Sequence, residues 1–449
     1  MGRGVFNVLG SSDEGAFDRI RRSLNPEWID QALAATGTAT VRRRRLPAEQ
    51  VIWLVLGMAL YRQLPIDDIV ERLELVLPGT GKARLAKSAV AQARARLGDE
   101  PMKWLFERCS SRWGHESARR HAWRGLAMYG VDGTTIRLPD SKENREHFGS
   151  QRGREETLSG YPLARLVTLM ALRSHLIVAA NFGPYDDERK YARELWRQVP
   201  DDSLLIVDRN FLAANILLPL TLGGTNRHWL TRATTRTKWK ALKKLGKGDE
   251  LVEAETTREA RQVNPALPRQ WPMRAITYRR PGFRPQTLLT SLLDEKAFPA
   301  DEIRALYHER WEIELGFDEV KTDMLEREET IRSKKPKGVM QELWAIGLAY
   351  NLVRLEMERI AEQAELPPSR ISFVASLRFI RDEWMWAATT PAPGTLPRKL
   401  VRLREQILHF VLPPRRSERC FPRAVKLKMS NYDRKRPATP TKSSPGPRK

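Results

Sequence analysis

Apolar residues at helical spacing mark the N-terminal part of the chain. Amphipathic segments open at Leu46, Pro65 and Ser88 and extend to about residues 62, 75 and 98. The longest apolar run, Val51–Leu60, has 10 residues, which is too few to span a bilayer. Residues 1–118 are therefore predicted to form a helical N-terminal domain, and no segment is predicted to cross a membrane.

After residue 118 the pattern changes to short apolar runs bounded by turn or polar residues. Such runs predict buried strands, and a charged segment with apolar positions on one side predicts a helix. The succession resembles the ribonuclease H-like fold, in which three antiparallel strands precede alternating helices and strands. The predicted elements of residues 119–225 are the strands Leu126–Val131, Arg165–Leu172 and Leu176–Asn181, the helix Asp186–Gln198 and the strand Leu204–Val207.

Four further regions follow. Residues 226–295 are basic and aromatic and predict a β-rich insertion, with strands in PMRAITYRR and QTLLTSLLD. Residues 296–335 return to the α/β core and carry a charged helix. Residues 336–432 predict a helical C-terminal region with a long amphipathic helix, Val339–Gln363. Residues 433–449 hold four prolines and six Lys or Arg residues and are predicted to be disordered.

The composition indicates a polyanionic partner. The chain has 78 Lys and Arg against 55 Asp and Glu, a net charge of +23 and a pI near 10.2. The basic residues are spread along the chain rather than along one amphipathic stripe, which favours nucleic acid over a membrane. The two cysteines lie far apart, the histidines show no zinc spacing, and no secretion signal is recognisable. We therefore expect a reducing, cytoplasmic setting and a metal site built from oxygen ligands.

Two aspartates each follow an apolar run that predicts a strand. Asp132 follows Leu126–Val131, and Asp208 follows Leu204–Val207. Acids at the carboxyl ends of such strands meet at the edge where an α/β sheet places its site. The alternative for each aspartate taken alone is a turn or helix-cap residue.

A third acid lies in the segment YHERWEIELGFDEVK. On an α-helix, Tyr307, Arg310, Glu314 and Lys321 fall within a stripe roughly 60° wide. An acid flanked by a phenol and two cations suits a metal-bound phosphate, with the carboxylate on the metal and the cations on the oxygens. A solvated, salt-bridged helix face is the alternative. Asp318, one turn beyond Glu314, competes for the same role.

The spacing of these four residues matches the YREK signature of transposases of the insertion-sequence 4 family, and the three acids resemble the DDE triad of transposases and retroviral integrases. The resemblance covers most of the chain. It includes the segments LPAEQVIWLVLGMALYR, SAVAQARARLG, TNRHWL, RSKKP and QELWAIGLAYNLVR.

This resemblance implies a reaction and a set of roles. Asp132, Asp208 and Glu314 would bind two Mg²⁺ ions, with Mn²⁺ as a substitute, and Tyr307 with the two cations of the signature would hold phosphates at the element's end. The implied reaction is cut-and-paste transposition of an insertion sequence, by cleavage at the element ends and strand transfer into target DNA. The partners would be double-stranded DNA at inverted repeats and target sites, and a second protomer in the DNA complex.

Several basic and aromatic residues are candidates for DNA contact. The helix opened by Ser88 predicts a recognition helix with Gln92, Arg94 and Arg96, although solvent-facing arginines are the commoner explanation. The run Arg42–Arg45 predicts phosphate contact or a nuclear-import signal. Enzymes of this family flip a base, and an aromatic side chain must receive it. The candidates are Trp229, Trp239 and Trp271, with burial in the core as the alternative. The basic face of the insertion comprises Arg227, Arg232, Arg236, Lys238, Lys240, Lys243 and Lys244.

Two other functions are compatible with these patterns. A hydrolytic nuclease of ribonuclease H-like fold would use the same three acids without needing inverted repeats. A DNA-binding regulator would use the basic surface and leave the acids idle. The presence of all three acids disfavours the regulator.

Overall fold

The computed structural model describes residues 24–39, 46–72, 86–150, 160–280, 284–326, 331–389, 402 and 404–413. The basic run Arg42–Arg45 and the segment 433–449, predicted to be disordered, lie outside these ranges. No helix within the described ranges is long and apolar enough to cross a membrane.

The described N-terminal residues are helical, as predicted. The second of these helices is buried along nearly its whole length because its apolar run packs against a long C-terminal helix. Ser88 lies inside the fourth helix rather than at its cap, which is Ala86. The five helices are α1 (Pro26–Ala35), α2 (Ala48–Leu60), α3 (Ile66–Arg72), α4 (Lys87–Leu97) and α5 (Glu100–Arg120).

Nine strands form one mixed sheet in the order β3-β2-β1-β4-β5-β9-β8-β7-β6. The first three strands pair antiparallel, whereas β1, β4 and β5 run parallel to one another. The remaining strands extend the sheet through antiparallel pairs. The strands are β1 (Ala127–Arg137), β2 (Leu163–Ala171), β3 (Ile177–Gly183), β4 (Ser203–Val207), β5 (Arg227–Arg232), β6 (Lys240–Gly246), β7 (Asp249–Glu255), β8 (Gln270–Tyr278) and β9 (Gln286–Thr290).

Helices cover both faces of the first part of this sheet. The helix Trp311–Asp318, in the segment YHERWEIELGFDEVK (the motif segment), places Ile313 near Gly130 of β1. The helix Glu188–Leu195, which follows β3, places Glu188 against Gly133. Residues 130 and 133 point to opposite faces of a regular strand, so the two helices cover opposite faces. This burial on both sides explains why β4 is a continuous apolar run. The helices of this part are α6 (Lys142–Phe148), α7 (Glu188–Leu195) and α8 (Ala214–Leu222).

Residues 226–295 contribute five strands to the same sheet. The sequence predicts β8 and β9 from their apolar pattern, but it misses β6 and β7. Residues 240–244 of β6 are all exposed, so the alternation that normally reveals a strand is lost. Residues 227–232 are predicted from the sequence to belong to the insertion. In the structure they form β5, which pairs in parallel with β4. A short helix, α9 (Arg258–Val263), lies between β7 and β8.

The motif segment is not one continuous α-helix, so that prediction is wrong. It follows α10 (Ala300–Leu306) and consists of a 3₁₀ turn at Tyr307–Arg310, the helix α11 (Trp311–Asp318) and a π-helical stretch at Glu319–Met324. The π stretch begins at Glu319, whose carboxylate is bonded to the buried Arg354. These irregular turns change the angular spacing from which the single stripe was predicted.

The C-terminal part is helical, as predicted. The long helix α12 (Pro336–Gln363) is buried on most of its surface, and it contacts α2 and α5. Its buried polar side chains include Glu342 and Arg354, each of which is paired with opposite charges. The helix α13 (Phe373–Thr389) packs against it.

Candidate active site

The two predicted strand acids lie on neighbouring parallel strands. Val131 of β1 is in register with Val207 of β4, and Asp132 and Asp208 are the next residue in each strand direction. The sequence predicts that the first strand ends before Asp132, and this is wrong. Strand β1 continues to Arg137 because its threonines and Ile136 keep pairing with β2. Register alone therefore brings the two aspartates side by side.

Asp132 lies in an anionic and largely buried environment. One of its carboxylate oxygens accepts a hydrogen bond of 2.8 Å from the Gly133 N–H. Burial, together with the smaller effects of the Glu188 and Asp208 carboxylates, raises the pKa of Asp132 to about 6. The Gly133 N–H and the Arg310 guanidinium act in the opposite direction. A carboxyl group in this position is short of positive charge.

Glu314 and Arg310 form an ion pair beside these aspartates. Arg310 donates a hydrogen bond of 2.7 Å to Glu314, across one helical turn. The Arg310 side chain is 11% exposed, and that of Glu314 is 39% exposed. The guanidinium also interacts electrostatically with Asp132 and Asp208. Arg310 thus links both halves of the site.

The other two motif residues lie at the same end of the strands. Burial raises the pKa of Tyr307 to about 12, with Arg310 lowering it and Asp208 raising it. The Tyr307 hydroxyl is therefore protonated near neutral pH. Lys321 donates a hydrogen bond of 3.4 Å to the Thr134 hydroxyl, two residues beyond Asp132 on β1. Tyr307 and Arg310 therefore interact electrostatically with the strand aspartates, and Lys321 contacts the strand that carries Asp132.

The three acids do not converge on one point in this conformation. Among the residues that the structure describes, no group of three His, Cys, Asp or Glu side chains is close enough to hold a metal ion. Glu314 is instead directed at Arg310. The competing acid Asp318 is exposed and interacts with Asp323, away from Arg310. Its placement offers no support for Asp318 as the helix acid.

Glu188 is a neighbour of Asp132 that sequence reasoning missed. It is the first residue of α7, and its carboxylate accepts a hydrogen bond from Asn210, two residues after Asp208. The preceding residue, Asp187, caps α7 by accepting a hydrogen bond from the Arg189 N–H. The only sequence signal for Glu188 is therefore an acid in a first helical turn, which is ordinary.

The tryptophan candidates for a flipped base differ in exposure. Trp229 is completely buried, and Trp271 is 6% exposed. Their ring centroids are 5.3 Å apart, so both belong to the core of the sheet. Trp239 is only partly buried. Trp311, which the sequence does not single out, is 41% exposed on the motif helix, and Arg310 lies 5.2 Å from its ring.

The predicted recognition helix is only partly available to DNA. Arg94 donates hydrogen bonds to Gln341 and Glu342 of α12, which ties α4 to the C-terminal region. The prediction that Arg94 reaches a DNA groove is therefore wrong, whereas Gln92 and Arg96 are exposed. In the insertion, Arg227 pairs with Asp201. Of the residues predicted for its basic face, Arg236, Lys238, Lys240, Lys243 and Lys244 are exposed.

Two protein families match the chain. Residues 14–107 match the family described as insertion element 4 transposase N-terminal, and residues 129–352 match the transposase DDE domain. The second match includes all six predicted site residues.

Curated relatives agree with these matches. The chain is 38% identical over 426 residues to transposase InsG for insertion sequence element IS4 of Escherichia coli strain K12, covering 94% of this chain and 93% of InsG. It is 41% identical over 212 residues to the putative transposase InsZ of the same strain, covering 47% of this chain and 69% of InsZ.

A solved structure of a piggyBac transposase synaptic complex with hairpin DNA aligns over 90% of this chain and 86% of that chain, with a TM-score of 0.43 and 10% identity. That score is too low to support a conclusion. The matched families and the similarity to InsG along nearly its whole length are decisive instead. The chain belongs to the insertion-sequence 4 family of DDE transposases, and it is a DNA transposase that cleaves and transfers DNA strands.

Proposed function

We propose that Asp132, Asp208 and Glu314 bind two Mg²⁺ ions in this transposase, with Mn²⁺ as a working substitute. The DDE domain implies dependence on divalent metal ions in general. The observation that supports this site is the register of β1 and β4, which sets Asp132 beside Asp208. Carboxylate oxygens are the ligands that hard divalent cations prefer. The raised pKa of Asp132 fits the same proposal, because a bound cation would supply the missing positive charge.

The helix acid would complete the site by a side-chain movement. Glu314 is partly exposed and has one strong partner, Arg310. A phosphate that engages Arg310 would compete for the guanidinium and release the Glu314 carboxylate towards the two aspartates. DNA binding and completion of the metal site would then be coupled.

The motif cations suit the phosphates of an element end. Metal ions held by the three acids would supply activation of a water or 3′-hydroxyl and stabilisation of the leaving oxygen. Arg310 has a planar guanidinium that can hold a phosphate through two hydrogen bonds. Lys321 would hold a second oxygen as a point charge, and the protonated Tyr307 hydroxyl would donate a hydrogen bond. One such site would carry out strand nicking, hairpin formation, hairpin opening and strand transfer.

The domain division proposed from the sequence follows the same logic. Residues 119–225 and 296–335 would form a ribonuclease H-like core interrupted by the insertion 226–295. The strand order β3-β2-β1-β4-β5, with antiparallel pairs only among the first three, supports this assignment. Residues 1–118 would form the DNA-binding domain, and residues 336–432 the helical C-terminal region. The segment 433–449 would be a basic tail.

The DNA would contact the exposed basic surface of the insertion, whose residues are named above. Each protomer has one candidate site, and a transposition event involves two element ends. The working species would therefore hold two protomers and two inverted-repeat ends. A bacterial cytoplasm, in association with the nucleoid, is the setting that we propose.

Cleavage of a DNA substrate carrying the element's inverted repeats tests the assignment. Asp132→Asn, Asp208→Asn and Glu314→Gln should each abolish cleavage in Mg²⁺ or Mn²⁺ while leaving DNA binding largely intact. Asp140→Asn is the control, since Asp140 is exposed and pairs with Arg145. Normal cleavage by Glu314→Gln, together with loss in Asp318→Asn, would show that the wrong helix acid had been assigned.

A further inference from the structure

Glu188 reaches the candidate site from the helix layer opposite the motif helix. It is the first residue of α7, and its side chain lies directly against β1 at Gly133, the residue after Asp132. A Cβ atom added at Gly133 would lie 2.6 Å from the Glu188 Oε2 and 3.1 Å from its Cβ. A methyl group at residue 133 would therefore force the end of the Glu188 side chain to move, so the glycine leaves room for the carboxylate in its present position.

A second contact ties Glu188 to the other strand acid. Asn210 lies in the 3₁₀ turn that directly follows Asp208, and its side-chain amide donates to the Glu188 carboxylate. Glu188 therefore touches the backbone next to Asp132 and a side chain two residues after Asp208. Its effect on the pKa of Asp132 is larger than that of Asp208, in keeping with this proximity.

No cation neutralises Glu188 among the ion pairs of the described residues. Its neighbour Arg189 makes its ion pair with Asp187, and Lys190 pairs with Asp186. Arg310 of the candidate site is paired with Glu314. Arg189 acts on Glu188 electrostatically, whereas the Glu188 carboxylate accepts a hydrogen bond from the Asn210 amide. Two neighbouring carboxylates in this arrangement would be stabilised by a bound cation.

We propose that Glu188 is a fourth carboxylate of the metal site, which binds a divalent cation together with Asp132 and Asp208. These three described side chains are not yet close enough to share an ion, so binding would draw the Glu188 carboxylate towards the two aspartates. This inference rests on the proposed function, because it adds a ligand to the same site. Four carboxylates would also balance the charge of two divalent cations. Arg310 and Lys321 would then remain free to neutralise DNA phosphates. Gly133 has a defined part in this arrangement, because any side chain there would displace the fourth carboxylate.

Binding of Mn²⁺ to the full-length protein without DNA, measured by calorimetry or electron paramagnetic resonance, tests this proposal. Glu188→Gln keeps an oxygen that can accept from Asn210 but removes the charge, so it separates metal binding from hydrogen bonding. Mn²⁺ affinity should fall by about tenfold or more. Glu194→Gln is the matched control, because Glu194 lies on the same helix and its carboxylate accepts a hydrogen bond from Asn181. Affinity within twofold of wild type for Glu188→Gln would overturn the proposal.

Two further variants make the outcome unambiguous. Gly133→Ala should weaken Mn²⁺ binding as Glu188→Gln does, and adding it to Glu188→Ala should cause no further loss, since both act on one side chain. A further loss in that double variant would count against the assigned part of Gly133. Asp132→Asn distinguishes failure of the fourth ligand from failure of the metal site as a whole. If it abolishes Mn²⁺ binding while Glu188→Gln does not, only the fourth ligand is wrong. If neither variant matters, the proposed metal site itself is wrong.

Discussion

The two halves of the candidate site are built in different ways. Asp132 and Asp208 are positioned by the backbone register of two buried parallel strands, so their proximity is fixed once the sheet forms. Glu314 lies on a short helix between a 3₁₀ turn and a π stretch, and its half-exposed side chain is held by Arg310. The strand half is therefore preformed, whereas the helix half must rearrange before all three acids can share a ligand.

The largest expected effect is on Mn²⁺ binding in the absence of DNA, where substitutions in the two halves should have different consequences. Asp132→Ala should eliminate measurable Mn²⁺ binding, because the strand acids are in place without substrate. Glu314→Ala should lower Mn²⁺ affinity much less, because Arg310 holds this carboxylate until a phosphate competes for it. Calorimetric titration of both variants checks this. Equal losses would show that the helix half is also preformed.

The helix half depends on a buried ionic network behind it. Arg354 of α12 is 1% exposed and is bonded to Glu319 at the start of the π stretch, and Tyr350 donates to the same carboxylate. Arg354→Met should reduce the free energy of unfolding by about 3–5 kcal/mol, since it removes the guanidinium paired with the mostly buried Glu319 and leaves that carboxylate with only His175 and Tyr350 among the partners described. Urea denaturation measures the change.

The control for that variant is an exposed ion pair. Arg112 and Glu116 are paired one helical turn apart, with side chains 61% and 49% exposed. Arg112→Met should cost less than about 1 kcal/mol. If the two variants cost the same, the network around Glu319 does not hold the motif segment in place.

The strand half should respond to pH in the metal-free protein. The pKa of Asp132 is about 6 in the folded state, above its ordinary value of 3.8, so the folded state binds the proton more tightly than the unfolded state does. Stability is therefore lost as the pH rises from about 4 through 6. Asp132→Asn removes this penalty and should be more stable than wild type at pH 8 by an amount on the order of 1–3 kcal/mol.

That advantage of Asp132→Asn should shrink as the pH falls from 6 to 4, and added Mn²⁺ should reverse it at pH 8. Thermal unfolding of both proteins at pH 4 and at pH 8, with and without Mn²⁺, measures this difference in stability. An advantage that stays the same at pH 4 would mean that Asp132 is not the titrating group.

The strand half is also the half that sequence reasoning recovers better. Apolar runs that end in Asp132 and Asp208 indicate adjacent buried strands, because parallel strands covered on both faces are continuous apolar segments. Glu188 could not be found, since its approach depends on Gly133 and on the packing of α7 across the sheet. The motif spacing identifies the helix residues by resemblance. The π stretch begins where Glu319 pairs with Arg354, which lies 35 residues further along the chain.

The dependence on tertiary structure also explains the wrong predictions for other parts of the chain. Strand β6 lacks any apolar alternation because it lies at the sheet edge with its residues exposed. Arg94 is a candidate for DNA contact, or for exposure to solvent, because its sequence context is that of a basic helix. Only the tertiary structure shows that this side of α4 faces Gln341 and Glu342. Local patterns define which elements form, but the partners of a charged side chain depend on distant segments.

The smallest effect concerns Arg310, which links the two halves. Arg310→Lys keeps the positive charge but loses the planar fork, so one of two hydrogen bonds to a phosphate should be lost. A hydrogen bond to a charged group contributes about 1.5 kcal/mol, so cleavage and strand transfer should fall by about tenfold. Mn²⁺ affinity without DNA should change less than twofold, because the variant retains all the carboxylates. Arg304→Lys is the control, since Arg304 lies on α10 outside the motif and pairs with Asp301. If both arginine variants behave alike in cleavage and in metal binding, Arg310 does not hold a phosphate, and the motif cations form an ordinary solvated helix face.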